Sequence, residues 1–589
     1  MKWCNMLFNI TKQKSLALIQ IFVAALILTV PSFLSLLSLK GAVYLMFTVS
    51  AFLMLLRIKA NEKIILSLKQ TVYLFLIAFG IISFFWISNI SGQFVYLFGI
   101  GTVCVLTSLL KEYFIENTGD SFKRRIAYLL SISGVTYCLY NIIYWITVVV
   151  PVAGNDGFRR GLISGDFSGI FMIISIACTV SLYKGNSKFR KLLLSFSLIL
   201  MVFCLIMTKS CMAWMFAVAF SLLLILKNVF LKKNSNNTKK YTAFASVVIV
   251  FYFIGTLVIA LTGENGIIFS DVFSFASKHL FGAGGGFLSA KDTFTDYPQI
   301  DEAGTGLFLY LFSASGIFGV LSCLVLIVRS VRVFIKLKNT ESAIGILCLI
   351  SLLLLPFGQS FAAVILVMGL DTYNEYCADL NLKLQLKQKH IKRLVNIVSV
   401  VLTITASLTV LSFMEMSADK DFEKGRYETA YEAYKIVSNI DVFDSRSSRM
   451  AAVCAKNDGT LLHTMSDDAL KLIDKAIKND RNNLGNYEKK AEIYFACGNF
   501  NESVGQYREI LKKSAVNDKY NLSMTKVLYE IIVSNPKGSS ETKRAYEEIV
   551  NIAQLTENLD VKKEINDLAD KALVYTKGEL SDEGKVTVE

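Results

Sequence analysis

The sequence predicts an all-α protein: a polytopic transmembrane helical bundle of about 13 spans, followed by a C-terminal helical-repeat domain of tetratricopeptide type. Three observations lead there. Apolar stretches near the ~20 residues that span a bilayer recur along the first 415 residues. The short loops between them alternate between lysine- and arginine-rich and nearly uncharged. After Glu415 the chain becomes charged, and its apolar residues take helical spacing.

The first element is the run from Ser15, SLALIQIFVAALILTVPSFLSLL, too long for a signal-peptide core and lacking a small-residue cleavage site. It reads as the first transmembrane helix. Further spans are expected near 41–57, 71–89, 93–110, 126–150, 162–183, 192–208, 210–226, 242–262, 305–330, 342–356, 359–371 and 393–414. With the N-terminus cytoplasmic, the inner loops carry Arg57/Lys59/Lys63/Lys69, Lys123/Arg124/Arg125, Lys184/Lys188/Arg190/Lys191, Lys232/Lys233/Lys239/Lys240, Arg329/Arg332/Lys336/Lys338 and Lys383/Lys387/Lys389/Lys392/Arg393. The outer side takes uncharged turns and one long loop, 263–304, with Glu264, Asp271, Asp292, Asp296, Asp301 and Glu302. Segment 342–371 is expected to be a two-helix hairpin broken at Pro356, since a single bent helix would put the last basic loop outside. The predicted location is therefore a bacterial plasma membrane, multi-pass, with the C-terminal domain extracytoplasmic.

The tail, 416–589, shows the small-and-large packing alternation of helical hairpin repeats. Tyr494, Gly498, Ser503, Tyr507 and Ile510 fit one repeat, and Gly425, Ala430 and Tyr434 fit another. Ala469 and Ala476 match a second helix, with Ala469 lying 34 residues before Ser503. The usual proline after the second helix is missing. A plain helical bundle is the alternative. Such a surface takes a protein or peptide partner.

The net charge of +14 belongs to membrane topology, so a nucleic-acid partner is rejected. The 11 cysteines are mostly scattered singly with no CxxC pair, and His279, His390 and His463 are far apart, so neither a metal nor a cofactor is expected.

Charges that break the positive-inside pattern mark the candidate chemistry. Arg159 and Arg160 lie in a short outer loop, VAGNDGFRRGLISGDFSGIF, with Asp166 inside the next span. Lys209 sits at a tight outer turn, LIMTKSCMAW, and the outer loop carries the glycine cluster from Gly282 to Phe287, including Gly284 and Gly285. Simpler roles stand beside these: headgroup anchoring for the arginines, snorkelling for Lys209, an ion-pair role for Asp166, a flexible turn for the glycines. Together the residues describe a cationic outer pocket facing a partly acidic loop. Guanidinium groups suit a diphosphate, and a carboxylate suits removal of a proton from an attacking hydroxyl.

FRRGLISGDFSGIF, TKSCMAWMFAVAF and LFGAGGGF with TGLFLYLFSASGIFGVL resemble segments of the O-antigen ligase and polysaccharide polymerase family over roughly residues 120–370, with Gly316 and Gly319 at matching glycines. Fused repeat tails are common in that family. The resemblance departs at Cys211, where the family has arginine, at Thr305, where ligases often have histidine, and at Ala314, where a glutamate is common. It implies a glycosyltransferase of polysaccharide biosynthesis in the cell envelope. A glycan on an undecaprenyl diphosphate carrier would pass to the hydroxyl of an acceptor glycan on the outer face, among membrane lipids. Arg159, Arg160 and Lys209 would bind the diphosphate, Asp301 or Glu302 would act as base, and Asp166, Gly284, Gly285 and Thr305 would support them. A lipid-linked glycan flippase or transporter and a non-catalytic scaffold presenting the tail are the competing expectations.

Overall fold

The computed structural model describes residues 12–29, 39–61, 63–66, 68–87, 89–116, 120–149, 165–183, 187–208, 210–231, 237–285, 306–355, 361–378, 382–385, 388–481, 483–513 and 518–576. Nearly all of them are α-helical, and the chain divides into two compact units, the second built mainly from Met414 onward.

The first unit contains α1 (Lys12–Thr29), α2 (Leu39–Asn61), α3 (Leu68–Ile82), α4 (Ile90–Glu116), α5 (Asp120–Tyr144), α6 (Gly165–Leu182), α7 (Lys188–Met207), α8 (Cys211–Leu226) and α9 (Thr238–Ala260). Then come α10 (Gly263–Lys278), α11 (Leu307–Ser315), α12 (Ile317–Leu337), α13 (Thr340–Leu354), α14 (Phe361–Cys377) and most of α15 (Gln388–Glu423). Among the described residues, eight stretches are long and apolar enough to cross a membrane: Lys40–Arg57, Ile90–Lys111, Lys123–Thr147, Lys188–Met207, Cys211–Phe230, Thr238–Ala260, Ile317–Leu337 and Val395–Glu423. Gln70–Phe85, Ser168–Leu182 and Thr340–Leu354 are shorter apolar helices. Among the described residues eight stretches thus qualify on length and composition, against the about thirteen expected along the whole sequence.

Two expected spans change shape for identifiable reasons. The one over 305–330 breaks at Gly316, whose φ of 59° ends α11 after nine residues and restarts the chain as α12. A Cβ there would stand 1.9 Å from the Leu280 carbonyl oxygen, so only glycine fits. The one over 359–371 runs on to Cys377 and carries Asp371 and Glu375 into the interior. The segment 342–371 does form two helices, α13 and α14, which pack on each other.

The buried stripe of α9 is Tyr241, Ala245, Tyr252, Thr256 and Ala260, one residue every turn or two. Its exposed faces carry Phe251 (71% exposed), Val250 and Ile254. Small and hydroxylated residues inside with large apolar ones outside invert the soluble pattern and match helix association in lipid. Interhelical hydroxyl bonds follow the same logic, with Tyr252 to Ser351 at 2.7 Å, Tyr241 to Thr340 at 3.0 Å and Ser131 to Thr179 at 2.7 Å.

A two-stranded antiparallel ribbon amends the all-α expectation. Strand β1 (Lys63–Leu66) pairs with β2 (Leu382–Gln385) in the register Lys63↔Gln385 to Leu66↔Leu382. It joins two of the basic loops, which therefore share one end of the bundle.

The second unit takes the end of α15 and adds α16 (Tyr427–Ile440), α17 (Ser445–Asn457), α18 (Gly459–Asn479), α19 (Leu484–Ala496), α20 (Phe500–Lys513), α21 (Asp518–Ser534), α22 (Ser540–Leu555) and α23 (Leu559–Thr576). Consecutive helices from α16 onward pack on one another. Gly425, Gly498 and Gly538 turn the chain between paired helices at φ of 73°, 77° and 73°. Ala430, Tyr434, Ala469, Ala476, Ser503, Tyr507 and Ile510 are buried, as their spacing requires, and Tyr494 is half-buried. Ser503 Oγ donates to the Ala491 carbonyl at 2.8 Å, so a small residue brings α19 and α20 together.

Candidate functional site

The sequence places its candidate residues at the ends of four helices of the first unit. Arg159, Arg160, Lys209, Asp301, Glu302 and Thr305 lie outside the described residues. Asp166 stands in the first turn of α6. The flanking elements are described. α6 packs against α8, and at Gly169 an added Cβ would lie 2.2 Å from Ala213 Cβ. The N-terminal ends of these two helices therefore touch. Ser210 caps α8, its Oγ accepting from Ala213 N at 3.0 Å. Cys211 is exposed on the first turn of α8.

Beneath this end lie buried polar groups. Tyr137 and Ser168 share a 2.6 Å hydroxyl bond, and Asn141 Nδ2 donates to the Tyr137 carbonyl at 2.9 Å. They give the start of α6 a polar floor.

The glycine cluster is a packing joint. Ala283 N donates to the Ser313 carbonyl at 2.8 Å, Gly284 N to the Ala314 carbonyl at 3.2 Å and Gly285 N to Gln93 Oε1 at 2.7 Å. Gln93 Nε2 in turn donates to the Gly80 carbonyl and Ser83 Oγ, and Trp86 Nε1 donates to the Gly282 carbonyl at 3.1 Å. With three successive amides given to protein acceptors, this segment is no phosphate cradle. A Cβ would meet Ala314 O at 2.3 Å from Gly282, Ile87 at 2.5 Å from Gly284 and Tyr96 at 2.0 Å from Gly285. The glycines are there because neighbouring elements run almost through the space a side chain would need. Ala314 is buried in the same joint.

Sequence reasoning missed a second polar centre, at the other ends of α4, α12 and α14. Glu375 lies 3.0 Å from Lys111 Nζ and accepts from Arg329 Nε at 3.0 Å, with Glu375 and Lys111 each 1% exposed and Arg329 9%. One turn away, Asp371 accepts from Ser330 Oγ at 3.0 Å, and Lys336 Nζ donates to the Ala378 carbonyl at 2.5 Å. Arg57 is buried near the end of α2, which packs on α14. Arg329 and Lys336 were both expected in an inner basic loop; both lie on α12 instead, Arg329 buried and Lys336 exposed. The available signal was the pair Asp371 and Glu375, four residues apart and so on one face of an apolar helix, with Lys111 alone in another. Among the described residues no group of His, Cys, Asp and Glu is disposed to hold a metal.

No family model matches the chain and no curated protein matches it. Among solved structures, yeast Tom70 aligns over 86% of this chain and 96% of its own, with 11% identity and a TM-score of 0.19. A superposition that loose carries no statement about this chain.

Proposed function

We propose that the protein is a multi-pass enzyme of the bacterial plasma membrane that transfers a glycan from an undecaprenyl diphosphate carrier to an acceptor hydroxyl on the outer face. The observation that carries the reading is the contact of Gly169 with Ala213. It brings together the starts of α6 and α8, the two helices whose leading segments hold Arg159, Arg160 and Lys209. In the proposed step the acceptor oxygen attacks the anomeric carbon and the bond from that carbon to the diphosphate breaks. The hydroxyl proton passes to Asp301 or Glu302. The three cations hold the leaving diphosphate, an electrostatic contribution that is large in a low-dielectric site. The inverted burial pattern of α9 supports placing the bundle in lipid, and the basic loops support a cytoplasmic face at the β1–β2 end. The repeat tail is proposed as an extracytoplasmic surface for a protein partner.

The test is surface polysaccharide length in cells lacking the protein and complemented with wild type or Arg160→Ala. Short glycan units in both the deletion and the variant are expected, with membrane insertion of the variant intact. Wild-type length in the variant rejects the assignment.

A transporter reading has one observation in its favour, the buried charges of Lys111, Arg329 and Glu375. They are paired with one another at the ends of their helices, which favours a fixed joint between helices over a permeation path. Purified protein that moves lipid-linked glycan across vesicles without extending it would decide for transport.

A further inference from the structure

One end of the first unit exposes a cluster of large apolar side chains. Phe85 is 91% exposed in the short turn Ser83–Phe85 that follows α3, and Trp86, Leu280 and Phe281 are exposed as well. Trp86 Nε1 donates to the Gly282 carbonyl at 3.1 Å, which holds the two chain segments together. The indole N–H is thereby used inside the protein while much of the ring faces outward. Phe79 lies between Trp86 and Phe318, with ring centroids 5.9 Å and 4.6 Å away, so the cluster sits where the end of α3 meets the start of α12. Large apolar side chains left together on a surface mark a contact with something else.

Helix geometry within this unit says what the cluster faces. α12 starts beside it, with Ile317 N donating to the Leu280 carbonyl at 2.9 Å. Ile317, Leu321, Leu324, Val328, Val331 and Ile335 are all exposed and lie three or four residues apart, so they form one outward face of α12. From Ile317 to Ile335 the axis advances about 27 Å at ~1.5 Å per residue. That face ends among the exposed cations Arg332 and Lys336. α3 gives a second measure: it begins at Leu68, directly after β1, and the chain from there to Phe85 covers about 25 Å. The hydrocarbon core of a bilayer is about 30 Å thick. An outward apolar face of nearly that length, basic at one end and aromatic at the other, is what a crossing helix presents, and aromatic rings gather at the headgroup level.

We propose that Phe85, Trp86, Leu280 and Phe281 anchor the first unit in the headgroup boundary of the bilayer, at the end away from the β1–β2 ribbon. The proposal rests on the membrane reading of this unit. Continuity favours phospholipid as the occupant: through the contact of Leu280 with Ile317, the cluster runs straight into the outward apolar face of α12. The glycine joint from Gly282 follows Phe281 directly, so the anchor holds that joint at the level of the headgroups.

The experiment places a fluorescent coumarin amino acid singly at Phe281 or Leu324 in the full chain, reconstituted in phosphatidylcholine vesicles that carry a nitroxide either on the headgroup or at mid-chain. Leu324 lies midway along the outward face of α12. At Leu324 the mid-chain nitroxide should quench several-fold more than the headgroup nitroxide. At Phe281 the order should reverse, and aqueous iodide should quench only weakly. Phe85→Ser/Leu280→Ser should lower headgroup quenching at position 281 several-fold and raise iodide quenching; an unchanged profile overturns the proposal. It is overturned equally if the probe at Phe281 is quenched mainly by iodide, mainly at mid-chain, or by nothing because a protein surface covers it, and each of these leaves the membrane reading standing. If neither nitroxide quenches Leu324, the membrane reading itself is rejected.

Discussion

Replacing Glu375 by glutamine isolates the energetics of the buried charge centre. The substitution keeps the volume and removes the carboxylate that Lys111 Nζ and Arg329 Nε both approach at 3.0 Å. Two cations would then remain where Lys111 is 1% and Arg329 9% exposed. Removing one partner of a buried ion pair costs about 3–5 kcal/mol, most of it the uncompensated charge left behind. Lys111→Met should behave differently. The Arg329–Glu375 pair survives it in balance, and Lys111 Nζ makes no well-directed hydrogen bond in this site. Its cost should stay within about 1 kcal/mol, since an apolar replacement of a buried ion is often neutral. In the double variant only Arg329 stays behind, so the total should fall short of the sum of the singles. The assay is thermal unfolding of the purified chain in nanodiscs, followed by intrinsic fluorescence under one fixed scan rate. The reasoning is refuted if Glu375→Gln melts with wild type, or if Lys111→Met is the more damaging of the two.

Other outcomes follow from the same geometry. Gly316→Ala should cost about 3 kcal/mol or more, because strain at positive φ adds to the collision with Leu280 O, and the measurable result is loss of folded protein in the membrane fraction. In the tail, Gly498→Ala should destabilise by about 1–2 kcal/mol through its left-handed backbone alone, as nothing lies within 4 Å of the new Cβ. Gly505→Ala, in the interior of α20 with equally open surroundings, should stabilise by about 1 kcal/mol; hydrogen exchange of α19 and α20 amides reads both. Burial pushes the Asp480 carboxyl up to about 7, against the Asn483 hydrogen bond and the Arg449 cation. Its unfolded value is about 3.9, so the folded tail holds a proton the unfolded tail releases, and the stability this contributes is lost as pH rises from about 4 through 7. Asp480→Asn should flatten that loss, seen as protection of α18 amides that no longer falls between pH 5 and pH 8.

Features governed by neighbouring residues could be read from the sequence. Ala430, Tyr434, Ser503 and Tyr507 announced burial through helical spacing, whereas Gly425 and Gly498, read as small packing positions, are exposed left-handed turn residues with open space around them. The division of 342–371 into α13 and α14 was legible from Pro356 together with the last basic loop, which a single helix would have put outside. What stayed hidden depends on partners far along the chain. Lys111 looks like a loop lysine until α14 delivers Glu375 to it. The glycines from Gly282 to Gly285 read as a flexible turn or a support for the site until Ser313, Ala314 and Gln93 take the amides of Ala283, Gly284 and Gly285. Gly316 breaks a helix that reads as continuous because the cause, the Leu280 carbonyl, lies 36 residues earlier. Arg159, Arg160, Lys209, Asp301 and Glu302 lie outside the described residues, and the structure supplies the starts of α6, α8 and α11 that follow them in the chain.

The β1–β2 ribbon sets a clock on the making of this protein. Lys63 pairs with Gln385, so the first strand emerges some 320 residues before its partner. At about 5–20 residues per second, synthesis leaves β1 without its mate for on the order of tens of seconds. Lys111 and Arg329 wait in the same way for Glu375, so α4 is made long before the carboxylate that pairs with its lysine. The first unit is therefore closed late, by its own last helices. A ribosome that stalls before α14 leaves behind helices that cannot be joined up, with β1 lacking its partner strand and Lys111 lacking Glu375 as the marks by which such a fragment differs from the finished protein.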